Sequence, residues 1–328
     1  MATTRPLISR GERAPDFVLP RGADGEGARF YGFVGGRPAV VLLAGDEDVR
    51  PLAEELRAAR GDDLDVHVVS RAPNVSGDGA FHDPEGGVHR AYGATDSAPV
   101  AVVTDPNVRV AATVAIGDGA LDEILAAVPK EPENVVAEAP RLAPVLFVPD
   151  ALSETHRESL IERWETEGAV ETGVEVVVDG EHAEATDIRR KRRRDHVVED
   201  RELLRELTQH IGARVFPELQ KAFAFQAGGF EGFKIGCYTD ADRGHFESHR
   251  DNLSSGTAHR RFGISINLND GYEGGELRFP EYGATRYRPA AGEALVFSGS
   301  HLHEVLPVER GRRFVLLSFV LARGARSR

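Results

Sequence analysis

His249-Arg250-Asp251 is followed, 52 residues after the aspartate, by His303, and ten residues beyond that by Arg313. Two imidazoles and one carboxylate form the facial donor set that holds a redox-active iron and leaves half of its coordination sphere open. Side chains two apart on a strand share a face. His249 and Asp251 are therefore expected to point into a barrel with Arg250 turned away, and His303 is expected from a distant strand on the opposite wall. Arg313 adds a permanent cation that could hold an acidic co-substrate beside the metal. A lone His-x-Asp arises by chance at many polar strand edges; the joint pattern with His303 and Arg313 is far more specific. Rivals exist within the same stretch. His301 shares strand parity with His303, His245-x-Glu247 is itself a His-x-acid pair, and Arg312 competes with Arg313 for the inward face.

These residues need a strand-rich frame, and the second half of the chain supplies one. Ser153 is placed to cap a helix through Trp164, and a second helix is expected over Arg201–Ala224. From Phe233 onward the chain is strands and turns. Phe262–Leu268, Ala294–Phe297 and Arg313–Val320 are apolar strands, with turn signals at Asp270-Gly271 and Gly274-Gly275. Short strands after a helical lead-in predict a helix-supported jelly roll, mainly β. The first half differs. Apolar runs at Ala39–Ala44, Leu64–Ser70 and Val100–Thr104 alternate with helical spacing at Leu52–Ala59 and Ala120–Val128, which predicts an α/β layer fold. Prolines and charges between Pro129 and Pro144 mark a linker, with the domain boundary near residue 138.

Composition narrows the function classes. The chain has 328 residues, and its net charge of −13 argues against general nucleic-acid binding. Residues 1–135 carry 13 Lys+Arg against 22 Asp+Glu, so the acidity is concentrated in the first half. No run is long and apolar enough to span a membrane, and Met1–Arg5 lacks a signal-peptide core. The single cysteine, Cys237, excludes an intramolecular disulfide and a thiolate cluster within one chain, and fits a reducing cytoplasm.

Beyond the triad, the text from Tyr238 on resembles the prolyl-4-hydroxylase-type branch of the iron(II)/2-oxoglutarate oxygenases. The resemblance is carried by Gly244–Asn252, Ile266–Asn269, Tyr272–Pro280, Pro289–Phe297 and His303–Arg313, and it covers roughly residues 144–322. It implies a double-stranded β-helix fold for residues 139–328, iron ligands His249, Asp251 and His303, and Arg313 paired with the distal carboxylate of 2-oxoglutarate. It also implies that Tyr238, by position, adds a hydrogen bond to the co-substrate. The family motif favours His249-x-Asp251 and His303 over the rivals, and the ten-residue offset favours Arg313 over Arg312. The implied chemistry turns 2-oxoglutarate and O2 into succinate and CO2 while hydroxylating a C–H bond, with ascorbate keeping the iron reduced. A protein or peptide side chain, proline first, is the implied substrate. A free or carrier-bound small molecule and a degenerate, non-catalytic scaffold are the alternatives.

Residues 1–138 are similar to the peroxiredoxin (thioredoxin-like) family in Gly11–Pro20, the strand at Ala39–Ala44, Asp83–Gly93 and Ala98–Val110. The stretch that should hold the nucleophile, Gly45–Pro51, contains no cysteine, so thiol peroxidase chemistry is excluded there. A docking, substrate-presenting or dimerising role is left for this domain. His82 and His89 are expected as surface or loop histidines. The basic run Arg189–Arg194 is expected as a solvated segment balanced by nearby acids, or as a rim that steers an acidic partner. Cys237 and Trp164 are expected in the core.

Overall fold

The structure is a computed structural model that describes residues 6–22, 26–45, 47–72, 80–95, 98–130, 142–172, 174–178, 181–185 and 189–324. The chain divides into two compact units, Met1–Val136 and Ala137–Arg328. Most of the expected linker, and the expected boundary at 138, lie outside the described residues. No described helix is long and apolar enough to cross a membrane.

The first unit contains β1 (Val18–Arg21), β2 (Glu26–Arg29), β3 (Ala39–Gly45), α1 (Arg50–Arg60), β4 (Asp65–Ser70), β5 (Phe81–His82), α2 (Gly87–Tyr92), β6 (Val100–Thr104), β7 (Val110–Ala115) and α3 (Ala120–Ala127). They build one sheet in the order β2-β1-β5-β4-β3-β6-β7. β3, β4 and β5 are parallel, whereas β6 runs antiparallel beside β3 and β7 antiparallel beside β6. The central strands are apolar throughout because both faces are covered. Val40, Leu42 and Ala44 join the core that includes Leu56 and Ile124 of α1 and α3, while Val41 and Leu43 join the core that includes Val88 and Tyr92 of α2. The hairpin β1–β2 and the short helix α2 carry too little periodicity to be expected from sequence.

His89 departs from expectation. It is 1% exposed, and its ring closes a clip between elements. Gly45 N–H donates to Nε2 at 3.1 Å, so Nδ1 carries the proton and donates to Asp83 at 2.8 Å. The same carboxylate accepts the backbone N–H groups of Gly87, Val88 and His89 at the start of α2. A short helix without an apolar stripe is thus anchored by charge and hydrogen bonds. His82 is half-buried on β5.

The second unit contains β8 (Leu146–Val148), α4 (Glu154–Glu167), β9 (Val170–Glu171), β10 (Val174–Val178), β11 (Glu181–Ala185), β12 (Lys191–Arg192), β13 (Arg194–Val197), α5 (Arg201–Phe223), β14 (Ala227–Phe230), β15 (Lys234–Thr239), β16 (His245–His249), β17 (Arg260–Asn267), β18 (Glu273–Gly274), β19 (Leu277–Arg278), β20 (Arg286–Tyr287), β21 (Ala294–Ser298), β22 (His303–Val305), β23 (Val308–Arg310) and β24 (Arg312–Ala322). A large sheet runs β8-β21-β17-β24-β15-β13-β9, with β14 also on β24, and a smaller one runs β12-β16-β22-β19-β20. Every pairing within these two sheets is antiparallel. The mainly β jelly roll expected from the turn spacing is this pair of sheets.

Alternation along the large sheet separates two environments. Ile235, Cys237, Ile264, Ile266, Val296 and Leu316 share a core with Leu160 of α4 and Leu207, Ile211, Val215 and Leu219 of α5. Their neighbours Tyr238, Leu295, Phe297 and Val315 share a second core with Leu277 and Val305 of the small sheet. The helices therefore close the outer face, and the inner face is left for chemistry. Ser153 caps α4, its hydroxyl accepting from His156 N–H. Trp164 packs edge-on to Phe314 at 5.2 Å and donates its indole N–H to the Arg194 carbonyl.

The basic run is not a solvated loop. Its residues enter β12 and β13, and Lys191 is buried.

Two predictions follow from buried titratable groups. Burial, then the charges of Arg21 and Arg57, lower the pKa of His67 to about 4. It lies 7% exposed on β4 beside Phe30 and Phe81. Because the unfolded chain binds this proton at an ordinary pKa near 6.5, unfolding takes up a proton between the two values. The first unit should hold its full stability above about pH 6.5 and lose roughly 3 kcal/mol as pH falls toward 4. Hydrogen exchange of β3 peptides across that window should show the loss, and His67→Phe should flatten it. Burial also pushes the Cys237 thiol up to about 12. Native protein at pH 8 should resist iodoacetamide, with labelling appearing only in denaturant, as read by intact mass.

Candidate metal centre

The strand β16 ends on His249, and β22 begins on His303. The two strands are neighbours in the small sheet, with His249 directly opposite His303. The second imidazole therefore comes from the adjacent strand, not from the opposite wall. Asp251 is not on the strand either: it sits in the turn after β16, where its N–H donates to the Gly299 carbonyl at 2.9 Å. Arg250 turns away as expected and pairs with Glu281 at 2.7 Å. Glu281 also accepts the Leu302 N–H, and Asn252 Nδ2 donates to Ser300 Oγ at 2.8 Å. The turn at 250–252 is thereby stitched to the loop that delivers His303. A turn, rather than a strand, brings the carboxylate to the imidazoles.

The donor atoms converge. One ligand atom from each of His249, Asp251 and His303 lies within 4.8 Å of the others, and Asp251 Oδ1 is 3.6 Å from both Nε2 atoms. Each imidazole lies with Nδ1 on a backbone carbonyl two residues earlier, Glu247 for His249 at 2.8 Å and His301 for His303 at 3.0 Å. That contact places the proton on Nδ1 and turns the Nε2 lone pair to the shared point. Phe246 stacks on His249 at 3.7 Å and Phe297 packs on His303 at 4.5 Å, so both rings are held in plane.

Electrostatics suit a cation. Burial, reinforced by His303, holds the His249 pKa well below its usual value, and burial pushes that of Asp251 up. Asp251 Oδ2 is buried with no hydrogen-bond partner among the described residues. Gly263 stands beside it: a Cβ there would come within 3.0 Å of Oδ2 and 2.8 Å of the Phe297 ring. Two unprotonated imidazole nitrogens, one carboxylate with an unused oxygen and a glycine that keeps the space open fit a divalent ion with O and N preference. The rival groups are engaged elsewhere. His301 Nε2 meets Tyr282 Oη at 3.3 Å, and both ring nitrogens of His245 lie on backbone carbonyls, those of Arg243 and Arg189.

Arg313 lies on the inner face of β24 and is 1% exposed, whereas Arg312 faces out and pairs with Glu165. The Arg313 guanidinium donates to Asn267 Oδ1 at 2.9 and 3.1 Å and to Ser265 Oγ at 3.3 Å. Asn267 is itself fixed, its Nδ2 donating to Tyr272 Oη and the Pro289 carbonyl, both at 2.6 Å. All of these acceptors are neutral, and among the described residues no carboxylate pairs with Arg313. A buried cation held only by neutral groups keeps charge that an anion could pair with. Tyr238 sits opposite Arg313 in the register, its ring centre 5.6 Å from the guanidinium carbon. Sequence reasoning missed Ser265 and Asn267. Their signal is polar parity: they alternate with Ile264 and Ile266 on one strand, and Gly263 shares their face.

Residues 233–321 match the family model of the 2OG-Fe(II) oxygenase superfamily. A PKHD-type hydroxylase of Pseudomonas putida is 33% identical over 102 residues, covering 31% of this chain and 41% of that protein. Procollagen-lysine,2-oxoglutarate 5-dioxygenase 1 of Rattus norvegicus is 42% identical over 64 residues, 18% of this chain and 9% of that one. The chain thus spans about two fifths of the length of the Pseudomonas relative. A crystal structure of a Pseudomonas putida prolyl-4-hydroxylase aligns at 19% identity and a TM-score of 0.40, covering 56% of this chain and 94% of that one. The C-terminal unit carries a 2OG-Fe(II) oxygenase domain, and its curated relatives include PKHD-type hydroxylases.

Proposed function

We propose that this protein is an iron(II)- and 2-oxoglutarate-dependent dioxygenase that hydroxylates a side chain of a protein or peptide, with a prolyl residue as the first candidate. The observation that carries the reading is the buried, carboxylate-free Arg313 in the same unit as the His249/Asp251/His303 donor set. In this reading the triad holds Fe(II), which supplies activation of O2. Arg313 binds the distal carboxylate of 2-oxoglutarate, with Asn267 and Ser265 fixing the guanidinium and Tyr238 adding a hydroxyl beside it. The overall change converts 2-oxoglutarate, O2 and R–H into succinate, CO2 and R–OH. Ascorbate serves as the reductant that keeps the iron ferrous. The PKHD-type hydroxylase relatives support a hydroxylation, and the procollagen-lysine relative makes a lysyl side chain the second candidate.

For the first unit, the reading is a thioredoxin-like module that has lost thiol chemistry and serves to dock or present a partner. Its central order β4-β3-β6-β7, with β3 and β4 parallel around α1 and an antiparallel β6–β7 pair before α3, supports that fold. Gly45–Pro51 contains no cysteine. The sole cysteine of the chain is buried in the other unit, which is consistent with a reducing, cytoplasmic setting.

Purified protein supplied with Fe(II), ascorbate and 2-oxoglutarate should release succinate, and a peptide substrate should gain 16 Da by mass spectrometry. His303→Ala should lower succinate release at least about a hundredfold, since an absent ligand costs the metal several kcal/mol of binding; turnover near the wild-type rate would remove His303 from the site. Gly263→Ala tests the space beside Asp251. Its methyl group should displace the carboxylate and Phe297, weakening Mn(II) binding by roughly 10- to 100-fold in a calorimetric titration, with thermal unfolding shifted far less than metal affinity.

A further inference from the structure

The basic run Arg189–Arg194 drops two of its side chains into the interior, and one of them reaches the inner face of the large sheet. Arg193 makes a two-pronged pair with Asp195, Nε to Oδ1 at 2.5 Å and Nη2 to Oδ2 at 2.9 Å. Asp195 is 1% exposed and is held in turn by Lys191 Nζ at 3.2 Å and by the Thr172 hydroxyl. Lys191 also donates to the Thr172 hydroxyl and carbonyl. The fork of Arg193 is therefore locked on three sides. Its remaining nitrogen, Nη1, donates to Tyr238 Oη at 3.0 Å. Space for this arrangement is reserved by Gly236, which lies opposite Asp195 in the register. A Cβ at Gly236 would approach Arg193 Cδ to 2.9 Å.

A guanidinium can only donate, and a phenol has one proton to give. Tyr238 Oη must therefore accept from Arg193, and its own proton is directed to a different acceptor. Tyr238 is 1% exposed, on the face it shares with Arg313. We propose that Arg193 is a positioning residue that fixes the Tyr238 hydroxyl as a hydrogen-bond donor to the carboxylate bound by Arg313. This rests on the reading of the Arg313 pocket as the 2-oxoglutarate site. The basic run is thus divided: Lys191 and Arg193 turn inward to Asp195 and Tyr238, while Arg189 and Arg194 stay exposed. Arg193 also lies 5.9 Å from the centre of the Phe246 ring that stacks on His249.

A double-substitution cycle tests this on the full chain loaded with Mn(II), using calorimetric titration of 2-oxoglutarate. Tyr238→Phe and Arg193→Met are each expected to weaken 2-oxoglutarate binding about tenfold, as the loss of one charge-assisted contact would. The double variant should be no weaker than the poorer single one, because Arg193 acts through the hydroxyl. Mn(II) affinity should change less than threefold in all three. If Arg193→Met does not fold, Arg193→Lys carries the cycle: a lysine can pair with Asp195 but lacks the fork that reaches Tyr238 at the same time. Additive losses, or an Arg193 substitution that leaves 2-oxoglutarate binding unchanged, would overturn the inference while the co-substrate reading stands. No binding of 2-oxoglutarate by the wild-type protein, or no effect of Arg313→Gln, would overturn both.

Discussion

The constraint on which the C-terminal unit depends is a positive charge placed where water cannot reach it. Arg313 is among the largest fully buried side chains of the described residues, and its hydrogen-bond acceptors are an amide and a hydroxyl. Burying a guanidinium costs several kcal/mol, and neutral acceptors recover only part of that. The surrounding strands are arranged to tolerate it. Asn267 is held by two further hydrogen bonds so that its carbonyl oxygen stays on Arg313. Gly275, with φ of 69°, leaves room for Arg313, because a Cβ there would stand 3.1 Å from Arg313 Cδ.

The metal donors obey a different constraint, that of register. A cross-strand pair at His249 and His303 sets the imidazoles side by side, but antiparallel pairing alone cannot bring a carboxylate to their Nε2 atoms. The chain solves this by ending β16 at His249 and turning. The turn is then fastened by Arg250–Glu281 and Asn252–Ser300 to the loop before His303. Both fasteners are exposed polar contacts that contribute little energy each. Their effect is geometric: they fix two loops relative to each other, and so fix the distance from Asp251 to both rings.

Much of this was legible in the sequence, and the misses have physical causes. Periodicity located β3, β4, β6, β17, β21 and both long helices within a few residues, since each buries a continuous or alternating apolar face. The donor set was legible as residue types and spacing. That Asp251 lies in a turn was not, because a His-x-Asp triplet has the same parity on a strand or at its end. On β24 apolar residues fill both faces, so alternation is silent there; the ten-residue offset from His303 singled out Arg313, and Arg312 pairs outward with Glu165. The basic run was misjudged for a related reason. Six consecutive cations suggest solvent, yet Asp195 lies directly after them and Thr172 some twenty residues before, so the neutralising partners do not form a visible motif.

His89 and His249 show why an acid beside a histidine does not by itself mark a functional site. In the first unit, Asp83 and His89 are as deeply buried as any pair in the chain, but every ring nitrogen is used: Nδ1 donates to the carboxylate and Nε2 accepts the Gly45 N–H. The carboxylate is filled by three backbone N–H donors as well. Nothing is left to bind or transfer. In the second unit, the two Nε2 atoms and one oxygen of Asp251 converge, and the other oxygen, Oδ2, is buried with no hydrogen-bond partner among the described residues. The same residue types give a structural clip when their hydrogen-bonding capacity is closed and a candidate metal site when it is left open. Burial is common to both, so satisfaction, not burial or proximity, separates the two roles.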